Sequence, residues 1–302
     1  MVKVEDCLVC GATKAILFER TREQGMTLTN WLCSDCGLVW LSPRMTAQEA
    51  EQFYKSGYHE LYSKSTLPTR SVLEQQRSRA EAVVGFVEKN IGSVNIETHL
   101  DIGSGSGALL RASSLNFGCD SVGIEMSDAY RDYSQQHGFK VYASLEAYLM
   151  QSTAVDLITL SHVMEHLVDP IAFLRVLRDR VLSKRGLIVI EVPNLFGHSC
   201  FEIGHLYSFS SDSLQCLLEK TGFRVRVTEI HGRPKSESAP LFISVVAERQ
   251  VSKGATLKNT KHKENVFRVR ARRRLGIIRA LPPSQKVRGL LSTVKHMFTP
   301  LN

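Results

Sequence analysis

Four cysteines near the amino end form two pairs, Cys7-x-x-Cys10 and Cys33-x-x-Cys36, each followed by glycine, Gly11 and Gly37. A two-residue spacer aims two thiolates at one ion, and two such turns complete a tetrahedron. The spacing therefore predicts a structural zinc site with Cys7, Cys10, Cys33 and Cys36 as ligands, with paired disulfides or a redox Cys-x-x-Cys as the alternatives. A metal there would fold a module too small to hold itself together, and four sulfur ligands would leave no open position for catalysis.

A second concentration of chemistry is Asp101-Ile-Gly103-Ser104-Gly105-Ser-Gly107-Ala108. The glycines let the chain turn sharply and a ligand approach the backbone, where the next helix opens with unpaired amides. Alone, the run leaves two classes open, because Gly103-x-Gly105-x-x-Ala108 also satisfies the dinucleotide fingerprint. Glu125 ends Val122-Gly-Ile-Glu125, where either class places an acid on ribose hydroxyls. Asp101 separates the classes: a carboxylate there would oppose a pyrophosphate and suits an adenosine ligand carrying a sulfonium and an ammonium.

The histidines supply the acid–base candidates. His162-x-x-Glu165-His166 matches an inverted zinc-protease signature, but that chemistry needs both histidines on one helical face and a third ligand, whereas His162 directly follows a strand. The plainer reading has Glu165 and His166 capping and buttressing the helix that Pro170 continues. The polar and aromatic stretch from Gly197 to Ser210 contains His198, Glu202, His205 and Phe209. A histidine with an ordinary pKa near ~6.5 is a natural base for a hydroxyl or an acidified carbon. His205 is the candidate, against a histidine that merely anchors the stretch.

These residues need a frame, and composition and patterning describe one. The chain has 302 residues, 43% hydrophobic and 23% charged, which excludes disordered, collagenous and coiled-coil classes. From residue 98, short branched runs (His99–Ile102, Ser121–Ile124, Val155–Leu160, Gly186–Glu191) alternate with helical stretches near 107–117, 127–137, 145–152 and 170–182. That alternation predicts an open α/β sheet with ligands at the carboxyl ends of its strands. The segments from Phe223 and from Pro240 predict a closing antiparallel pair. Upstream, Pro68 opens a helical pattern over 70–90, and Tyr54, Tyr58 and Tyr62 share one helical face, a packing pattern.

With these motifs in order, the chain resembles class I S-adenosylmethionine-dependent methyltransferases over residues 70–248, on Asp101-x-Gly103-x-Gly105-x-Gly107, Glu125 and Ser161-His-Val-Met-Glu-His-Leu-Val-Asp-Pro170. The resemblance implies a Rossmann-like seven-stranded sheet behind a small zinc-ribbon module. It implies that Gly103, Ser104 and Gly105 bring amides to the cofactor beside Asp101 and Gly107, and that Glu125 takes the ribose hydroxyls. Met126 would flank the adenine, Ser144 would replace an adenine-reading Asp, and Ser161 and His162 would line the cofactor toward the acceptor. Ubiquinone-type O-methyltransferases have a similar Glu-His pair associated with a divalent cation, although His162 departs from their pattern. The knuckles, with Cys36-Gly37-Leu38-Val39-x-x-x-Pro43-Arg44, Phe53, Tyr54 and Tyr58, are similar to a bacterial subgroup that includes nucleotide-sugar C-methyltransferases and relatives from surface-polysaccharide clusters. His205-Leu-x-x-Phe209-Ser210 resembles their segment with the basic histidine. Gly204 stands where they have Glu, and Glu202 where they have Tyr.

The organisation expected is a zinc-binding module over 1–45, a helical linker over 46–97, a cofactor-binding domain over 98–250 and a basic tail over 251–302. The net charge is +8, and the tail holds 13 of the 38 Lys and Arg with one acid, Glu264, over a mildly acidic body. Val287, Leu290, Leu291, Val294, Met297 and Phe298 follow helical spacing, so the tail can lie on an anionic membrane, dock a partner or cover its own domain. Nucleic acid is disfavoured, since no base-reading fold accompanies the arginines. No apolar run reaches the ~18 residues of a membrane span and the amino end lacks a signal pattern, so the expected location is cytoplasmic, with peripheral membrane contact through the tail. The expected activity is methylation, on O or C, of a small hydroxylated acceptor such as a nucleotide sugar or surface-glycan intermediate. The competing class is a zinc-ribbon scaffold that engages RNA, protein or membrane through the tail.

Overall fold

Each cysteine pair closes a tight turn of the same design: the Gly11 amide donates to the Cys7 carbonyl and the Gly37 amide to the Cys33 carbonyl, with both glycines at positive φ (75° and 74°). The computed structural model describes residues 1–57, 61, 67–92, 94–151, 154–250 and 266–280. Between the turns run β1 (Ala15–Glu23) and β2 (Met26–Cys33), an antiparallel hairpin turning at Gln24-Gly25, followed by β3 (Val39–Leu41). The fourth strand of this small sheet comes from far along the chain. It is β9 (Tyr207–Ser208), which pairs with β3 through Val39–Ser208 and Trp40–Tyr207.

The amphipathic pattern of the linker forms α2 (Arg70–Ile91), which begins at the Thr69 cap rather than at Pro68 and buries Ala80, Val83, Val84, Phe86 and Val87. It is preceded by α1 (Ala47–Gln52), closed by a Thr46–Glu49 capping box, and a π-type turn over Phe53–Gly57. Tyr54 lies in that turn, while Tyr58 and Tyr62 fall outside the described residues.

The large sheet contains β4 (Thr98–Ile102), β5 (Asp120–Ile124), β6 (Lys140–Tyr142), β7 (Val155–Ser161), β8 (Leu182–Pro193), β10 (Phe223–His231) and β11 (Phe242–Arg249). Its order is β10-β11-β8-β7-β4-β5-β6, parallel from β6 to β8, with β11 and β10 added antiparallel. The fold is the Rossmann-like α/β arrangement expected from the pattern. Connecting helices are α3 (Ala108–Phe117), α4 (Asp128–Gln136), α5 (Leu145–Leu149), α6 (Pro170–Val176) and α7 (Ser211–Lys220). Two differ from expectation. α5 stops at Leu149, and α6 passes into a π turn over Leu177–Val181, so that β8 starts at Leu182, earlier than its apolar run. Strand order reverses at β4, flanked by β5 and β7, so the chain leaves opposite faces there and a crevice opens at the strand ends.

Within the basic segment, α8 (Val266–Ala280) packs on the protein itself. Arg270 donates to the Leu17 and Phe18 carbonyls, Arg273 pairs with Glu19, and a side chain at Gly276 would strike the Phe196 carbonyl. The apolar series from Val287 to Phe298 lies outside the described residues. Among those described, no helix is long and apolar enough to cross a membrane.

Candidate active site

The glycine loop follows β4, with Gly103, Gly105 and Gly107 at φ of 73°, 53° and 81°. Its amides are already used within the protein. Gly103 and Ser104 donate to the Ile124 carbonyl, Gly105 to the Glu125 carboxylate (2.9 Å), and Ser106 to the Gln76 side chain (3.0 Å). The expected row of ligand-facing amides is therefore replaced by a loop tied to β5 and α2. The small cavity there is lined by Asp101, Gly103, Ser104, Gly105 and Ser161, while the Ser104 hydroxyl is turned inward against Gly123 of β5, buried without a hydrogen-bond partner.

Glu125 accepts from the Gly105 amide with one oxygen and the Ser127 amide (2.8 Å) with the other. Burial raises its pKa, with the two amides acting against the shift. Each oxygen keeps a second lone pair, so the carboxylate can still accept two vicinal hydroxyls. Asp101 is buried and accepts from the Thr159 hydroxyl (2.6 Å), which in turn lies 2.8 Å from His99 Nε2. Burial pushes the Asp101 carboxyl up to about 7, the Thr159 hydroxyl opposing and Glu125 adding to the rise. A glycine cradle at positive φ, the two free lone pairs of Glu125 and an uncompensated buried acid form a set suited to a ribose and a cationic amino-acid end. Met126 is 39% exposed at the end of β5, and the Ser144 hydroxyl caps α5 by accepting from the Ala147 amide.

A second cavity, of about 290 Å³, adjoins the first and is lined by His162, His166, His205, Asn194, Glu202 and Phe242, among others. His162 ends β7 at φ 57°, the left-handed region that favours glycine, which costs a non-glycine residue of order 1 kcal/mol or more. The turn aims its ring between Glu165 (3.5 Å) and Glu191 (3.4 Å). Glu165 is 1% exposed, and neither of its oxygens has a hydrogen-bond partner. Burial works against its charge, and His162, His166 and His205 more than offset it, holding the carboxyl below the usual range.

His166 Nδ1 lies 2.9 Å from both the Gly204 carbonyl and the Tyr54 hydroxyl, and that hydroxyl itself donates to Gly204 (2.7 Å). A carbonyl only accepts, so the proton is assigned to Nδ1 and the lone pair to Nε2, which points toward Glu165 (3.9 Å). The His205 ring lies tilted against His166, at a centroid distance of 4.9 Å, and 3.5 Å from Glu202. Burial, reinforced by His166, pushes its pKa down to about 3, so the imidazole is neutral at physiological pH. One ligand atom each from Glu165, His166 and His205 falls within a 4.8 Å cluster that can share a proton or hold a cation.

Tertiary structure thus unites Glu165, His166 and His205, and places Asp101, Gly103, Ser104 and Ser161 at the neighbouring glycine-loop cavity, with Glu125 bonded to Gly105. It also brings in residues that no local pattern marked. Tyr54, read as packing, holds Gly204 and His166; Arg79, Lys235 and Arg273 line the larger cavity from three distant segments. Arg79 and Lys235 carry no signal in sequence, since isolated cations are ordinary surface residues, whereas Arg273 sits in the basic run Arg272–Arg274.

The four thiols of the amino-terminal turns lie within 4.8 Å of one another, with Cys7–Cys36 at 3.5 Å and Cys10–Cys33 at 3.3 Å, and the Asp35 amide donates to Cys33 Sγ. All four are free thiols, and the donor set fits one zinc ion.

The model of a methyltransferase domain family matches residues 72–227. No curated protein matches the chain. Among solved structures, the 1,6-didemethyltoxoflavin-N1-methyltransferase of Burkholderia thailandensis, with bound 1,6-didemethyltoxoflavin and S-adenosylhomocysteine, is 14% identical. It aligns over 77% of this chain and 99% of its own with a TM-score of 0.54. A SAM-dependent methyltransferase from Archaeoglobus fulgidus is 19% identical over 60% of this chain and 100% of its own, with a TM-score of 0.46. At these identities the likeness is one of fold.

Proposed function

The chain belongs to this methyltransferase domain family, as a class I S-adenosylmethionine-dependent methyltransferase, and from that premise we propose that its acceptor is a small hydroxylated molecule, a nucleotide sugar or surface-glycan intermediate methylated on O or C. The observation that carries the proposal is the convergence of His205, His166 and Glu165 on a polar cavity adjoining the glycine-loop cavity. S-adenosylmethionine supplies a methyl group activated by its sulfonium. The protein's task is alignment and proton removal. Glu125 orients the ribose, Asp101 receives the ammonium, and Ser161 and His162 form the boundary toward the acceptor. His205 faces the cavity with a resting pKa of about 3, well below the ordinary ~6.5 on which the expectation of a base rests. It takes the acceptor's proton only as methyl transfer acidifies it, with Glu165 and Glu202 as counter-charges for the imidazolium that forms. The four cysteines are proposed to hold a structural zinc.

Substitution His205→Ala is expected to lower kcat by roughly 10²–10⁴ with cofactor affinity unchanged, once acceptor screening supplies a substrate. An equal loss of cofactor binding would instead assign His205 to the frame of the site.

Cofactor binding should depend on pH through Asp101. With its carboxyl raised to about 7, the neutral form dominates below pH 7 and must lose a proton to meet the ammonium; above pH 7 the anion is already present. Affinity for S-adenosylmethionine is therefore expected to weaken about tenfold from pH 8 to pH 6, with proton release measurable by calorimetry in buffers of different ionisation enthalpy. A flat profile would remove Asp101 from the ammonium site.

The two unpartnered, buried oxygens of Glu165 favour a second reading, in which Glu165, His166 and His205 hold a divalent cation that orients the acceptor hydroxyl. Metal analysis separates the readings: two ions per chain support the cation, one supports the base.

A further inference from the structure

We propose that the acceptor carries a phosphate-type anion and that Arg79 and Lys235 hold it in the cavity containing His205; this rests on the methyltransferase reading and deepens it. Arg79 comes from α2 and Lys235 from the loop between β10 and β11, yet both flank one aromatic ring. The Arg79 guanidinium carbon lies 5.7 Å, and the Lys235 ammonium 5.9 Å, from the centroid of Phe242. Among the described residues neither cation lies within 4.0 Å of a carboxylate, and Arg79 Nε is buried without a hydrogen-bond partner.

Two like charges brought to one partly desolvated ring repel each other, and a fold tolerates that where an anion restores the balance. Two carboxylates of the surroundings act on these cations from beyond salt-bridge distance, Glu191 on Arg79 and Glu202 on Lys235, and each has nearer partners of its own. Glu191 sits behind His162 and accepts from the Ser161 and Ser244 hydroxyls. Glu202 faces His205, and burial raises its pKa, with Glu23 and Glu165 adding to the rise. The third cation of the cavity, Arg273, is committed to Glu19 and lies over the Phe201 ring (4.1 Å). Burial, with Arg79 beside it, also lowers the Lys235 pKa against the opposing pull of Glu202, a shift that a bound anion would reverse.

The class of anion follows from the donors. One guanidinium fork saturates a carboxylate, whereas a guanidinium and an ammonium from separate segments suit a group with three or more charged oxygens. The rival claimant is the carboxylate of the cofactor itself, because Arg79 borders both cavities. Lys235 borders the acceptor cavity and not the glycine-loop cavity, so it separates the two.

The test is calorimetric titration of the full-length protein, loaded with S-adenosylhomocysteine, with pyrophosphate and separately with malonate. Pyrophosphate is expected to bind. Lys235→Gln and Arg79→Gln should each weaken it at least tenfold, and the exposed control Lys184→Gln should leave it unchanged; S-adenosylhomocysteine affinity in Lys235→Gln should match the wild type. The contrast between Lys235→Gln and the wild type separates the cavity from binding by the basic carboxyl-terminal segment. Equal pyrophosphate affinity in Lys235→Gln, tighter binding of malonate, or a loss confined to S-adenosylhomocysteine in Arg79→Gln would each overturn the assignment while leaving the methyltransferase reading intact. Failure of the wild type to bind S-adenosylhomocysteine would strike that reading itself.

Discussion

Glu125→Ala is expected to reduce the affinity for S-adenosylmethionine at least a hundredfold, read by calorimetry, with the protein still folded. The carboxylate has two tasks. It holds the Gly105 and Ser127 amides at 2.9 and 2.8 Å, and it offers its remaining lone pairs to the ribose. Removing it strands two buried amides, each costing about 1–3 kcal/mol when unsatisfied, and removes two charge-assisted contacts to the ligand. The glycine loop would lose its link to the end of β5 as well as its grip on the cofactor. Glu125→Gln should fall between, since its amide accepts with one oxygen only. A loss below fivefold in the alanine variant would place the ribose elsewhere. Binding of NADH in place of S-adenosylmethionine would reopen the dinucleotide alternative.

The second large effect concerns the amino-terminal turns. Cys33→Ser, or stripping zinc with a chelator, is expected to abolish methyl transfer to the acceptor while cofactor affinity stays within about threefold. The physical reason is the path of support. β3 pairs with β9 directly after His205, and Leu28, Leu32, Val39 and Leu41 share a core with Leu195, Phe201 and Ile203 of the same insertion. Arg44 extends the brace by lying over the Tyr207 ring (4.7 Å) and donating to the Val168 carbonyl. A module held by a metal loses its shape without it, and His205 would then drift from Glu165 and His166. The glycine loop itself is tied by hydrogen bonds to β5 and α2, so the module reaches it only through the core that Trp40 and Cys33 share with Leu100, Ile102 and Ile124. Restoration by added zinc would complete the expected result. Simultaneous loss of cofactor binding, or wild-type protein free of zinc by mass spectrometry, would contradict it.

The cofactor half of the site was legible in the sequence because its parts are contiguous. Asp101 to Gly107 form one strand–turn–helix junction and Glu125 follows the next strand, so spacing brings them together, while their proposed roles come from the family resemblance. Even there, the amides of Gly103 and Ser104 went to Ile124 rather than toward a ligand, a choice made by the neighbouring strand. The same division applies to Tyr54, whose expected packing role comes from local spacing, whereas its hydroxyl reaches Gly204 and His166 across 150 and 112 residues.

What the sequence determined by itself was therefore the alternation that builds the α/β sheet, the glycine loop with its two acids, and the paired cysteine turns. Each is set by backbone conformation and apolar spacing over a few consecutive residues. Only tertiary structure decided the acceptor side. Tyr54, Arg79, Glu165, His205, Lys235 and Arg273 come from separate segments, and they meet because β9 joins the amino-terminal sheet, α8 folds back over β1 and β11 carries Phe242 beneath the cavity. Such meetings depend on long-range burial and on the balance of desolvated charges, which residue order alone does not encode at any one position.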